Sequence, residues 1–68
     1  MYKLRGNDLN KILFKKRINR SILAKEAGIS IETLNSWMYR ETKATRETAM
    51  KVIKYLEIDI SDIFDEII

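Results

Sequence analysis

The chain has 68 residues, with 13 Lys or Arg against 10 Asp or Glu, and it contains neither cysteine nor histidine. This length fits one small domain, 1–68, and the composition excludes disulfides, Cys/His zinc sites and thiol or imidazole catalysis. No apolar stretch approaches the roughly 18 to 20 residues that cross a bilayer, and nothing resembles a signal peptide. We therefore expect a soluble, cytoplasmic domain that does not bind to membranes.

The charge is distributed unevenly along the chain. Residues 1–46 contain eleven basic and four acidic side chains, whereas residues 47–68 contain two basic and six acidic ones. A basic part of this kind is typical of a protein that meets a polyanion, although an ordinary solvated surface explains it equally well. Tyr2, Lys3 and Arg5 indicate either a basic arm or a disordered terminus.

The first predicted helix begins with Asn7 or Asp8 as its cap and runs to about Lys16, with apolar residues at helical spacing. Strand-like alternation is confined to residues 2–4 and 58–60. Absence of proline and the presence of only two glycines leave little to interrupt helix formation elsewhere.

The second and third predicted helices follow closely on one another. The second begins after Asn19, whose side chain can accept from the amides of the first turn, and ends at Gly28, where left-handed geometry is permitted. Ser30 caps the third helix, which directs Leu34 and Trp37 toward the core.

Two further helices complete the prediction. Thr45 caps the fourth, which has a broad apolar stripe. Asp59 is expected to cap a fifth, short helix that contains Ile63 and Phe64. The fold class predicted from these elements is all-α.

The spacing around residues 23–38 carries the functional argument. A turn of only three residues makes two helices cross steeply, at about 90 to 120°. Ala24 is small enough to permit their close approach, and Ile29 fills the angle between them. A helix about 10 to 12 Å across fits the major groove of B-DNA, which is roughly 12 Å wide. The outward residues of the third helix are Ile31, Glu32, Asn35, Ser36 and Tyr39.

This pattern resembles the phage lambda repressor and Cro (XRE-type) family of helix-turn-helix DNA-binding domains. The residues that carry the resemblance are Leu23-Ala24, Gly28-Ile29-Ser30, Leu34, Trp37, 56–60 and Ile63-Phe64. It covers about residues 8–65 and implies a compact five-helix domain with its helix-turn-helix at about residues 20–39. It further implies binding of operator DNA, usually as a symmetric dimer, and control of transcription.

The resemblance also assigns roles to individual positions. Base contacts would come from the recognition helix, 31–39, through Ile31, Glu32, Asn35 and Ser36. Contacts with DNA phosphates would come from Asn19, Arg20, Thr33, Arg40, Lys43 and Arg46. Amides at a helix start can also hold a phosphate oxygen, which suits the beginning of the second helix.

The chain departs from the family pattern at several positions. Arg20 replaces the usual glutamine, so we expect retained phosphate affinity and loss of a contact that bridges to the recognition helix. Leu13 and Met38 replace both partners of a buried ion pair, a paired change that can be neutral in free energy. Arg40 and Glu57 stand where relatives often have glycine, which predicts strained or differently shaped turns.

Three residues of the recognition helix have two interpretations each. The Glu32 carboxylate either accepts from a cytosine or adenine amine, and so discriminates between bases, or simply favours the helix dipole. Trp37 either stacks on bases or, as its core phase favours, packs inside. Tyr39 either donates to a phosphate or covers the core.

The acidic C-terminal part is unusually rich in isoleucine. A domain this small cannot easily bury every apolar side chain of that part, and leftover apolar surface indicates a subunit contact. We assign the dimer interface to Ile58, Ile60, Ile67 and Ile68. The alternative is that this part merely completes the core.

The function predicted from these features is that of a DNA-binding transcriptional repressor of phage or mobile-element type. It would need no cofactor, metal or small-molecule ligand and would associate with the nucleoid when bound to DNA. The alternative is a helix-turn-helix module for protein interaction, such as an antitoxin-like or co-regulator subunit. An enzyme is the poorest interpretation, because the chain has no histidine, cysteine or glycine-rich phosphate loop.

Overall fold

The structure of the protein is a computed structural model that describes residues 1–67. Its elements in chain order are β1 (Tyr2–Leu4), α1 (Gly6–Lys16), α2 (Arg20–Ala27), α3 (Ile31–Tyr39), α4 (Arg46–Leu56), a 3-10 turn (Ile60–Asp62) and β2 (Phe64–Glu66). The all-α, five-helix prediction is therefore wrong at its last helix, where the chain makes one tight turn and then a strand. No helix among residues 1–67 combines the length and hydropathy that a bilayer crossing requires.

The two strands form a small antiparallel sheet that joins the ends of the described chain. The paired residues are Tyr2 and Glu66, Lys3 and Asp65, and Leu4 and Phe64. On its other side β1 meets Ala44, whose N–H donates to the Tyr2 carbonyl at 2.7 Å. The strand that the alternation at 2–4 indicates is thus confirmed. Residues 58–60, which show the same alternation, do not form a strand. Local periodicity missed β2 because its hydrogen-bond partners lie at the opposite end of the chain.

Three helices begin at the caps that the sequence predicts. The side-chain oxygens of Asn19, Ser30 and Thr45 accept from the amides of Ile22 at 2.8 Å, Thr33 at 3.0 Å and Thr48 at 3.3 Å, respectively. Gly28 ends α2 with φ of 80°, as expected for a left-handed C-terminal residue. The beginnings of α2, α3 and α4 are therefore determined locally.

The start of α1 differs from the prediction. Arg5 precedes the helix in an extended conformation, and no side chain caps it. Instead, the Arg5 guanidinium donates to the Asp8 carboxylate at 2.6 Å, to the Asp65 carboxylate and to the carbonyls of Ser61 and Phe64. These bonds, first to Asp8 and then to Asp65, raise the pKa of Arg5 above its ordinary value. Arg5 is therefore no part of a basic arm but fastens the start of α1 to the end of the chain.

Among residues 1–67, three residues other than glycine adopt left-handed backbone conformations. Arg17 ends α1 with φ of 59°, Glu57 ends α4 with φ of 57°, and Glu41 follows α3 with φ of 54°. The expectation of strain at Glu57 is confirmed. Arg40 itself has φ of −104°, so the turn after α3 has the different shape predicted for a chain without glycine there.

The core lies between the helices and is closed by the sheet. Its largest completely buried side chains are Leu9, Leu23, Leu34, Val52, Leu56 and Ile63. Trp37 is 4% exposed and meets the Phe64 ring edge-on, with ring centroids 5.7 Å apart, which confirms that Trp37 packs inside. Leu13 is buried and Met38 packs against the same core, in keeping with the paired apolar replacement.

Candidate nucleic-acid interface

The turn between α2 and α3 holds α3 in a defined position. The amides of Gly28 and Ile29 both donate to the Ala24 carbonyl, each at 3.0 Å. Ala24 is 2% exposed, Leu34 on the facing side of α3 is completely buried, and Ile29 packs partly against the core. One face of α3 is thus fixed against the domain, and its opposite face remains at the surface.

The surface of α3 displays the residues assigned to base contact. Ile31 and Glu32 are exposed, and Asn35 and Ser36 are partly exposed. An open depression of about 420 Å³ is lined by Glu32, Asn35, Ser36, Tyr39 and Arg40. It brings together three of the four assigned residues, while Ile31, at the first position of the helix, does not line it.

Two residues assigned to phosphate contact also serve as parts of helix caps. The Asn19 side-chain oxygen accepts from Ile22, and the Thr33 hydroxyl lies 2.7 Å from the Ser30 hydroxyl. The side-chain nitrogen of Asn19 remains the group that can donate to an anion. The Thr33 side chain is held close to its own helix start.

Arg20 joins the start of α2 to the end of α3. Its guanidinium lies over the Tyr39 ring, 5.1 Å from the ring centroid, and donates to the Tyr39 hydroxyl. A guanidinium nitrogen also lies 3.4 Å from the Met38 sulfur. The expected loss of the bridging contact is therefore wrong, because arginine is long enough to reach across the pair of helices.

Tyr39 is one of the residues of this surface for which the sequence allows two interpretations. Its side chain is 66% exposed, so it does not cover the core. Its contact with Arg20 could not be read from spacing alone, since the two residues come from different helices and meet through a cation–π contact and a hydrogen bond. Tyr39 also lines the depression on α3.

The remaining basic residues assigned to phosphates lie after the recognition helix. Arg40, Lys43 and Arg46 are all exposed, and Arg46 opens α4. Nearby, Lys3 of β1 forms an exposed ion pair with Glu41, at 3.8 Å. Because exposed ion pairs contribute little free energy, the pair leaves this surface available to an anionic partner.

The isoleucines assigned to a dimer interface are less exposed than expected for a surface left over after the core is filled. Ile58 and Ile60 pack partly against the core, and Ile67 is partly buried with its amide donating to the Met1 carbonyl at 2.8 Å. Ile68 lies outside the described residues. Completion of the core thus explains part of the isoleucine content.

Within the described part of the chain, no group of three or more acidic side chains is placed to hold a metal ion. In a comparison with curated proteins, none matched this chain. A scan of protein families gave a match to the Cro/C1-type HTH DNA-binding domain over residues 8–67. The chain therefore belongs to the Cro/C1-type helix-turn-helix DNA-binding domains, the family that its paired helices α2 and α3 indicate.

Proposed function

We propose that the protein is a sequence-specific regulator that represses transcription by occupying operator DNA, with α3 in the major groove. The observation that carries this proposal is the outer face of α3, where Glu32 is exposed and Asn35 and Ser36 are partly exposed. The other face is fixed against the core by Leu34 and Trp37. A helix held rigidly in this way can meet base edges without further ordering, which lowers the entropic cost of binding. In this function Ile31, Glu32, Asn35 and Ser36 contact the bases.

The DNA backbone would be held on both sides of the recognition helix. Arg20 and the Asn19 amide lie at the start of α2, a helix N-terminus that can also bind an anion through its free amides. On the other side, Arg40, Lys43 and Arg46 supply exposed cations. Thr33, held by its cap bond, would donate from its hydroxyl only to a phosphate that approaches the helix start.

Binding as a homodimer would place two recognition helices about 34 Å apart, one turn of DNA. The C-terminal part supports this arrangement because Ile58, Ile60 and Ile67 each remain partly exposed. Acidic residues surround them, which would keep this end away from phosphates. Such a regulator would act in the cytoplasm, on the nucleoid, without a cofactor.

Selection of bound duplexes from a random-sequence pool tests this function. We expect a two-fold symmetric consensus. The logarithm of the binding constant should fall linearly with the logarithm of the salt concentration, because phosphates that the protein contacts release their counterions. Lys43→Ala should reduce the salt slope by about 1, as loss of one phosphate contact does. Lys54→Ala, an exposed lysine near the end of α4, is the matched control and should leave the slope unchanged. Failure to select any consensus would contradict the proposal.

A second candidate function is protein interaction through the same surface. It is favoured by the apolar area that Ile31 and Tyr39 expose on α3, at 37% and 66% exposure, next to the acidic Glu32. A module of this kind would not need the exposed cations at Arg40, Lys43 and Arg46. Such a module would give no consensus when duplexes are selected from a random-sequence pool, so the selection experiment separates the two functions.

A further inference from the structure

The recognition helix has an unusual chemical character for a surface that meets DNA. Residues 31–39 contain no lysine or arginine, and their one charged side chain is the exposed Glu32. Guanine presents two acceptors in the major groove, N7 and O6, and is read by paired donors such as those of arginine. Apart from Arg40 at its end, α3 therefore offers no side chain of the kind that reads guanine best.

Glu32 restricts the bases that can lie opposite it. An ionised carboxylate only accepts hydrogen bonds, and the major groove has two donors, the N4 amine of cytosine and the N6 amine of adenine. Opposite guanine or thymine the carboxylate would meet acceptor atoms and lose its hydration without compensation. No partner within the described residues occupies the Glu32 carboxylate, which lines the depression on α3.

Asn35 and Ile31 complete the surface on either side of Glu32. Asn35 has a donor and an acceptor together, the combination that matches N7 and N6 of adenine, and partial burial restricts its side chain. Ile31 is purely apolar, and the C5-methyl group of thymine is the apolar group of the major groove. The Ser36 hydroxyl can donate or accept and so adds no restriction.

From these three side chains we infer that α3 itself reads the operator half-site through thymine methyl groups and base amines, and not through guanine. Ile31 contacts a thymine methyl, Glu32 accepts from cytosine or adenine, and Asn35 pairs with adenine. This inference rests on the proposed function, since it names the base class that the same surface selects. Specificity would arise from shape, methyl contact and amine recognition, while the surrounding cations supply affinity.

Single replacements of thymine by uracil in the selected duplex test the inference, because they remove only the methyl group. At the thymine opposite Ile31 we expect affinity to fall about fourfold, the effect of one buried methyl group. Ile31→Ala should lose the same affinity on the thymine duplex and show no further loss with uracil. Ile22→Ala, an exposed isoleucine on α2, is the matched control and should keep the full sensitivity to uracil.

Glu32→Gln provides an independent second measurement. Glutamine can donate as well as accept, so the variant should tolerate guanine or thymine at a position where the native protein loses roughly tenfold or more. Thermal unfolding of each variant checks that these surface changes leave the fold intact.

The outcomes separate the inference from the function on which it rests. A selected consensus that is insensitive to uracil at every thymine, or that places guanine opposite Glu32, overturns the inference and leaves sequence-specific binding in place. Equal effects of Glu32→Gln on matched and mismatched duplexes also overturn the role of Glu32. Selection of no consensus at all overturns both proposals.

Discussion

At the scale of single residues, Glu57 shows a conflict between side chain and backbone. It ends α4 with φ of 57°, a conformation that costs an ordinary residue about 1 to 2 kcal/mol. Its amide nevertheless donates to the Ile53 carbonyl, and the next amide, of Ile58, also donates there at 3.2 Å. The burial of Ile53 and Leu56 just before it holds the turn in place despite this strain.

We predict that Glu57→Gly stabilises the domain by about 0.5 to 1 kcal/mol, because relief of strain exceeds the extra freedom of glycine in the unfolded chain. The midpoint of thermal unfolding should rise by roughly 2 to 8 °C. Glu57→Ala removes the same charge but keeps the Cβ atom, so it serves as the control. Equal stabilisation by both variants would assign the effect to charge and not to the backbone.

At the scale of elements, the contact of Arg20 with Tyr39 joins α2 and α3 on the outer side of the helix pair. The inner side is joined by the turn at Gly28 and by the buried faces of both helices. The outer contact is therefore placed where it would oppose rotation of α3 about its buried face. Arg20 therefore joins the two helices in the fold itself, and in the proposed function it would also supply a cation near DNA.

A double-mutant cycle of Arg20→Ala and Tyr39→Ala tests this contact through the free energy of unfolding in urea. We expect a coupling of about 0.5 to 1 kcal/mol, the usual range for an exposed cation–π contact. A control cycle that pairs Arg20→Ala with Tyr55→Ala, at an exposed tyrosine on α4, should give no coupling. Purely additive effects of Arg20→Ala and Tyr39→Ala would show that the two helices are not joined in this way.

At the scale of the whole molecule, the sheet closes the core by bringing the first residues onto the last. Tyr2, Leu4 and Phe64 are all at most 8% exposed, and Tyr2 meets Phe64 edge-on with centroids 6.3 Å apart. Arg5, which directly follows β1, adds ion pairs with Asp8 and Asp65. Because its pKa in the folded protein is raised, this contribution is present at neutral pH and is lost only as pH rises through that raised value.

We predict that Leu4→Ala destabilises the protein by about 2 to 5 kcal/mol, as loss of a buried leucine does. This is a large part of the total stability expected for a domain of this size, roughly 3 to 10 kcal/mol. Lys3→Ala lies in the same strand with its side chain exposed, and it should change stability by at most about 0.5 kcal/mol. Urea unfolding followed by circular dichroism measures both, and similar small effects would mean that β1 is not part of the core.

The proposed dimer is also a property of the whole molecule. In sedimentation at micromolar concentration we expect a species of twice the 8.1 kDa chain mass, alone or on DNA. Ile67→Lys should shift it to the monomer, because a charge would be desolvated at the contact. Phe14→Lys, on α1 with its side chain 87% exposed, is the control and should leave the dimer intact. Sedimentation of the unaltered protein as a monomer both with and without DNA would contradict the assignment.

The sequence by itself determined α2, α3 and α4, the caps at Asn19, Ser30 and Thr45, and the family, because caps and apolar periodicity act within a few residues. It also placed the candidate reading surface, since the spacing of exposed residues follows from the helix. Only the tertiary structure decided the sheet, the Arg5 bonds and the Arg20 contact with Tyr39. Their partners lie on separate elements, and no local pattern specifies which distant groups the packed core brings within bonding distance.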